Sequence, residues 1–216
     1  MSTAHKPREQ RLVLYGVPWK TYTRLLHTLE DRHLRITYDR GALEITTLSL
    51  GHERWGRLLA RFVQIVTEEL NRAMVQGGST TFRRRKKQRG LEPDDCFWIQ
   101  HESAMRNKTT VDLRVDPPPD LGLEIDISRS SLNRMNIFRA LRVPEIWRYD
   151  GTVLEFNILQ PDGKYAVAPE SSALPGIKSA DLLPFLNMLA QLGESEVVRQ
   201  FRAWVRQTLL PGGTPP

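Results

Sequence analysis

Residues 121–127 restrict the fold of this chain more than any other stretch. Leu121, Leu123, Ile125 and Ile127 alternate with Gly122, Glu124 and Asp126, and side chains along an extended strand point to opposite faces in turn. The segment therefore reads as a strand with one apolar face, which needs a layer to bury it, and one face carrying two carboxylates. Acidic groups held side by side repel unless they are solvated, share a proton or bind a cation. Taken alone the pair has a plain reading, an exposed strand face, and a chemical one, a site.

The rest of the chain supplies the layers. Trp19, Tyr22, Leu26 and Leu29 recur at helical spacing, which predicts a short first helix. Segments 34–38 and 42–48 flank the turn formers Asp39, Arg40 and Gly41 and read as a β-hairpin. From 52 to 71, Trp55, Leu58, Leu59, Phe62, Val63, Val66 and Leu70 mark one face of an amphipathic helix and Glu53, Arg57, Arg61, Gln64 and Glu68 the other. Strands are predicted near 75–83 and 96–100, with a basic run between them. Hydroxyl caps at 128–132 introduce a helix over 132–142 that Pro144 bars from continuing. Segments 145–149 and 152–159, joined by Asp150 and Gly151, form a second hairpin, a further turn follows at Pro161–Asp162–Gly163, and 179–191 and 194–209 read as helices. This order suits an α+β or mixed α/β sandwich better than a doubly wound sheet. The five tryptophans all fall on apolar faces of predicted elements and read as core.

With 216 residues the chain fits one domain, 12–209, between a loose arm, 1–11, and a loose tail, 210–216. No apolar run approaches the roughly 20 residues of a membrane span, since 177–192 is interrupted by Lys178, Asp181, Pro184 and Asn187. A single cysteine, Cys96, and a polar N-terminus without an apolar signal core make the cytoplasm the expected location. The net charge of +6 favours anionic partners. Much of it lies in Arg83, Arg84, Arg85, Lys86, Lys87 and Arg89, which are either a solvated loop or a phosphate-binding patch.

A second acidic cluster, Glu92-Pro93-Asp94-Asp95, precedes the apolar Cys96-Phe97-Trp98-Ile99. The residue before proline is held extended, so Asp94 is expected at a strand entrance, where it can approach the end of a neighbour. One carboxylate there and one or two on a strand about thirty residues later form the oxygen-rich site that a hard ion such as Mg²⁺ accepts. The sequence holds no Cys/His spacing for zinc, no Gly-rich phosphate loop and no Gly-x-Ser-x-Gly elbow.

Taken together, Gly41-Ala42-Leu43-Glu44-Ile45, His52, Glu92-Pro93-Asp94, Pro119-Asp120-Leu121-Gly122-Leu123-Glu124-Ile125-Asp126 and Val143-Pro144-Glu145-Ile146-Trp147 resemble the Uma family of restriction endonucleases. The likeness runs from about Trp19 to about Leu192. It implies a restriction-endonuclease-like fold and a metal-dependent hydrolysis of DNA phosphodiester bonds. By that resemblance Asp94 and Glu124 hold Mg²⁺ or Mn²⁺ with the backbone carbonyl of Ile125, Asp126 and Glu44 accompany them in catalysis, and His52 lines the same cleft. His52 has the plainer reading of a helix-start residue bonded locally. The superfamily's lysine is matched by Arg134 on the following helix; arginine keeps the charge but cannot act as a base. Three readings remain open: a DNA endonuclease, for which duplex cutting favours a homodimer; a nucleic-acid-binding module that no longer cleaves, favoured by Arg134; and a glycosidase using the carboxylate pair, against which the basic run speaks.

Overall fold

The computed structural model describes residues 9–29, 34–128 and 130–210. Its elements form an α+β architecture of two sheets with helices packed on them. In chain order the strands are β1 (Arg11–Leu14), β2 (Leu34–Asp39), β3 (Ala42–Thr47), β4 (Val75–Gln76), β5 (Phe82–Arg84), β6 (Arg89–Leu91), β7 (Asp95–Trp98), β8 (Leu121–Ile125), β9 (Glu145–Tyr149), β10 (Leu154–Leu159) and β11 (Tyr165–Ala168). The helices are α1 (Trp19–Thr28), α2 (Leu50–Glu69), α3 (Glu102–Met105), α4 (Arg134–Leu141), α5 (Ser179–Leu192) and α6 (Glu194–Leu209).

The first sheet is antiparallel, in the order β1-β3-β2-β6-β5. Directly opposed residues share a face, and this sorts its side chains. Ile36 faces Ile45 and Tyr38 faces Leu43, and this side packs on α1 through Tyr22, which stacks on Tyr38 at 4.7 Å. Arg35 faces Thr46 and Thr37 faces Glu44, so the other side of the same strands is polar. That alternation is what turns the sheet into a partition between an apolar layer and a site.

The second sheet runs β11-β10-β9-β8-β7-β4 and is antiparallel except for the parallel pair β8–β9, which α4 connects as a crossover. Leu121, Leu123 and Ile125 of β8 face the main core with Leu58, Phe62, Val66, Leu186 and Phe201 from α2, α5 and α6. The opposite face carries Ile146 and Cys96 against Ile137, Phe138 and Leu141 of α4. Gly122 makes this close approach possible, because a Cβ there would lie 2.8 Å from Ile146 Cδ1. Both helices that reach the site have side-chain caps: Ser49 accepts from the His52 N–H and Asn133 from the Asn136 N–H.

The two hairpins, the long amphipathic helix, the strand at 121–125 and the three later helices lie where periodicity placed them. Trp98 and Trp147 are fully buried, and Trp19, Trp55 and Trp204 pack against the cores. Four features differ. The strand expected over 75–83 is two short pieces, β4 and β5, separated by the turn around Gly77 and Gly78. The basic run is no loop but a hairpin, β5 and β6 joined by a 3-10 turn at Arg85–Lys87 and closed by Gln88 at φ 51. Residues 1–8 and 211–216 of the expected arm and tail lie outside the described residues, but the arm's last residues are held: Arg11 pairs with Thr46 in β1–β3 and the Thr47 N–H donates to the Gln10 carbonyl. β11 and α3 carry no periodicity that predicts them. Among the described residues no helix is long and apolar enough to cross a membrane.

Candidate functional site

Asp94, immediately before β7, is stitched to β8: its N–H donates to the Leu123 carbonyl (3.0 Å) and its Oδ2 accepts the Ile125 N–H (2.5 Å). The strand-entrance position expected from Pro93 is therefore where it stands. Oδ1 receives two cations, the guanidinium of Arg35 from the polar face of β2 and His52 Nε2 from the first turn of α2. The other ring nitrogen, Nδ1, faces Glu9 Oε1 at 2.8 Å. Glu124, on the α4 side of β8, is gripped by both edges of the Arg134 fork, Nε on Oε1 and Nη2 on Oε2 at 2.9 Å. Arg134 also donates to Thr37 Oγ1 (2.5 Å) and to the Glu92 carbonyl (2.7 Å), and its guanidinium carbon lies 5.9 Å from the Phe138 ring centroid. As the first residue of α4 it joins the second sheet to the first.

The electrostatics follow from burial and pairing. Burial pushes the Asp94 carboxyl up, but Arg35, His52 and the Ile125 N–H together outweigh it, so Asp94 stays below the ordinary carboxylate range. Glu124 moves the other way: burial raises it, Asp94 adds to the rise, and Arg134 and Arg35 only partly offset both. Burial would lower His52, yet its bonds to Asp94 and Glu9 lift it to about 9, so it is an imidazolium at neutral pH. Burial would likewise lower Arg134, and Glu124 and Asp94 raise it instead. Burial also raises Glu92 and Asp95.

Asp94 and Glu124 offer the hard oxygens that Mg²⁺ accepts. An ionised carboxylate has about four acceptor sites; Asp94 receives three donors and Glu124 two, so the oxygens retain capacity for a shared cation. In donor chemistry the pair fits such an ion. The charge balance is less open than the sequence implied, because Arg35, His52 and Arg134 already supply the compensation expected of a metal. Among the described residues no three of His, Cys, Asp and Glu gather as a metal centre.

The centre opens into a cleft of about 220 Å³ lined by Arg35, His52, Gly56, Asp94 and Asp95, with Arg57, Arg61, Gln64 and Gln76 on the outer face of α2 and β4. A bonded chain runs along its rim, from Arg61 to Gln64 (2.9 Å), to Gln76 (2.7 Å), to Asp95 Oδ2 (2.6 Å).

The remaining expected residues fall elsewhere. Asp126 shares the Glu124 face but is tied to Arg148 Nη2 at 2.6 Å rather than to Arg134. Glu44 accepts from Ser130 Oγ (2.7 Å) and the Ser131 N–H (2.8 Å), holding the loop that leads into α4; it positions Arg134 rather than facing the cleft. Ile125 meets Asp94 through its N–H. His52 is no locally bonded helix-start residue, since its ring lines the cleft. The basic run lies apart: Arg83, Arg84, Arg85, Lys86 and Lys87 line a separate groove, and Arg89 is paired with Asp39 at 2.8 Å inside the hairpin.

Sequence reasoning missed Arg35 and Glu9. Arg35 had a signal, a charged residue on the same strand face as Thr37 and opposite the Glu44-bearing strand; Glu9, in an apparently loose arm, had none.

A search of curated proteins finds no match. A comparison with protein families matches residues 19–190, most of the chain and all of the acidic centre except Glu9, to one family. The chain belongs to the Uma2 family, whose members carry the description putative restriction endonuclease.

Proposed function

We propose that the chain is an endonuclease that hydrolyses DNA phosphodiester bonds at the Asp94–Glu124 centre. The observation that carries the reading is this buried carboxylate pair, brought from a strand entrance and a neighbouring strand to where Asp94 raises Glu124, with Asp94 lining a cleft that Arg35, Arg57 and Arg61 also line. Asp94 and Glu124 would hold Mg²⁺ or Mn²⁺, with the Ile125 carbonyl as a third oxygen; the ion would activate water and neutralise phosphate charge. The chain's own groups do the rest. Arg134 fixes the Glu124 carboxylate and leaves a permanent positive charge beside the scissile position, where charge develops. His52 keeps its proton between Glu9 and Asp94 and so holds Asp94 ionised. Arg57 and Arg61 on the rim engage flanking phosphates. Cutting both strands of a duplex takes two such sites, which a homodimer would provide.

One observation favours a second reading, in which the fold binds nucleic acid without cleaving it: Arg35, His52 and Arg134 already neutralise the pair. Relaxation and linearisation of supercoiled plasmid with Mg²⁺, Mn²⁺ or EDTA decides between them. Metal-dependent cutting by the wild type that Glu124→Gln and Asp94→Asn each reduce at least a hundredfold supports the nuclease; equal cutting by all three assigns any activity to contamination and leaves the binding module.

A further inference from the structure

We infer that the groove between α1 and the β5–β6 hairpin is a second nucleic-acid site, distinct from the acidic cleft, that grips a strand by its phosphates. The inference stands whether or not the acidic pair cleaves. The groove encloses about 1280 Å³, more than the roughly 300–1,000 Å³ typical of small-molecule pockets, and so suits a stretch of polymer better than a metabolite. Its lining carries eight lysines and arginines against one carboxylate, Asp112, which is itself engaged by Arg114. Charge of that density on two facing walls calls for a polyanion.

The walls are built differently. On α1, Lys20 and Arg24 are exposed one helical turn apart. On the hairpin, Arg83, Arg85, Lys86 and Lys87 are exposed. The turn bearing them is fixed: the Gln88 N–H donates to the Arg85 carbonyl (3.0 Å), the Arg40 N–H to the Gln88 carbonyl (2.8 Å), and Arg84 Nη2 reaches the Leu113 carbonyl (2.7 Å). A backbone held in this way presents its cations with no ordering cost of its own on binding, leaving only the side chains to be ordered.

The strand register separates this groove from the acidic centre. Arg83 lies opposite Gly90, which lies opposite Tyr38, and this places Arg83 on the α1 face of the first sheet. Arg35 and Thr37, which touch Asp94 and Arg134, occupy the other face. A strand held between α1 and the hairpin is therefore not in the acidic cleft at the same point, and the groove serves to anchor nucleic acid rather than to present a bond for cutting.

The test is fluorescence anisotropy in EDTA, where no metal-dependent cutting occurs, with a labelled short DNA single strand and the corresponding duplex. Lys20→Ala/Arg24→Ala and Lys86→Ala/Lys87→Ala should each weaken binding at least tenfold and lower the log–log salt slope by roughly 1.4–1.8, about 0.7–0.9 for each phosphate no longer neutralised. Lys164→Ala, at an exposed lysine outside both the groove and the acidic cleft, should bind as the wild type does, which ties the loss to the groove rather than to net charge. Circular dichroism confirms that the surface variants fold. An α1 double variant with unchanged affinity and slope overturns the inference. So does poly-glutamate that displaces the labelled strand as well as unlabelled strand does, because the groove then takes acidic protein segments.

Discussion

Asp94 and Glu124 are buried with their counter-charges drawn from inside the fold, whereas the cations of the α1–hairpin groove stand at the surface awaiting counter-charges from outside. The difference lies in solvation. A carboxylate taken out of water is tolerated when well-placed donors replace the lost hydration, so the acidic centre is tied to Arg35, His52, Arg134 and the Ile125 N–H, and through Thr37 and Glu44 to the register of the first sheet. Apart from Arg84, which reaches the Leu113 carbonyl, and Arg114, which engages Asp112, the groove cations Lys20, Arg24, Arg83, Arg85, Lys86 and Lys87 are exposed and keep their water. Changes at the first region should therefore be felt as stability, and changes at the second as affinity.

The largest effect tests the first half of that contrast. Arg134→Ala leaves Glu124 buried without its partner and also frees Thr37 and the Glu92 carbonyl. Breaking one side of a buried pair costs about 3–5 kcal/mol. Urea denaturation should show a loss of that size, and Glu124→Gln added to Arg134→Ala should recover part of it, because the orphaned charge is gone. If Arg134→Ala unfolds at the same urea concentration as the wild type, the centre is solvated and the comparison fails.

A smaller effect comes from His52. Its raised titration point, about 9 against an ordinary 6.5, means that the folded chain holds the proton more tightly than the unfolded one. The resulting stabilisation is complete below about pH 6.5 and is lost as pH rises through about 9, up to about 3 kcal/mol in all. Denaturation midpoints measured across that range should fall for the wild type and change much less for His52→Gln. A wild-type midpoint that rises instead would mean that the imidazole is buried neutral.

How much of this was legible in the sequence depends on the range of each interaction. Glu124 and Asp94 were readable as candidates because strand alternation and the Glu92-Pro93 pair are local signals, whereas Arg134 was singled out by the family resemblance, whose lysine position it occupies, and its grip on Glu124 is seen only in the structure. Arg35 and Glu9 reach the centre only because β2 pairs with β3 and the chain before β1 crosses to α2, contacts of more than thirty residues' separation that no window contains. β6 escaped for a different reason. Arg89-Gly90-Leu91 is too short to show a period and belongs to a run whose charge reads as loop; the pairing of Phe82 with Leu91 and Arg83 with Gly90 is what makes it a strand.

A finer test falls within the acidic centre. Arg134→Lys keeps the positive charge but gives up the two-point grip on Glu124 and the donation to the Glu92 carbonyl. If the arginine fills space that an attacking water needs, the lysine variant should cut plasmid several-fold faster than the wild type in Mg²⁺, at some expense in stability. If the arginine is fitted to the transition state, the lysine variant should cut no faster and Arg134→Ala should cut clearly more slowly.

The smallest expected effect tests the other half of the contrast, and it is meant to be near zero. Lys86 and Lys87 sit exposed on the 3-10 turn, whose shape is held by backbone bonds at Gln88 and Arg40 and by Arg84 rather than by the lysine heads. Removing like charges from a crowded run relieves repulsion and takes away no buried packing. Substitutions of this kind ordinarily change stability by no more than roughly 0.5 kcal/mol. Lys86→Ala/Lys87→Ala should therefore unfold with the wild-type urea midpoint, or slightly above it at low salt, where unscreened repulsion is strongest. A clear loss of stability would show that the lysines hold the hairpin together, and the groove would then belong with the acidic centre as a part of the fold rather than as a surface kept for a partner.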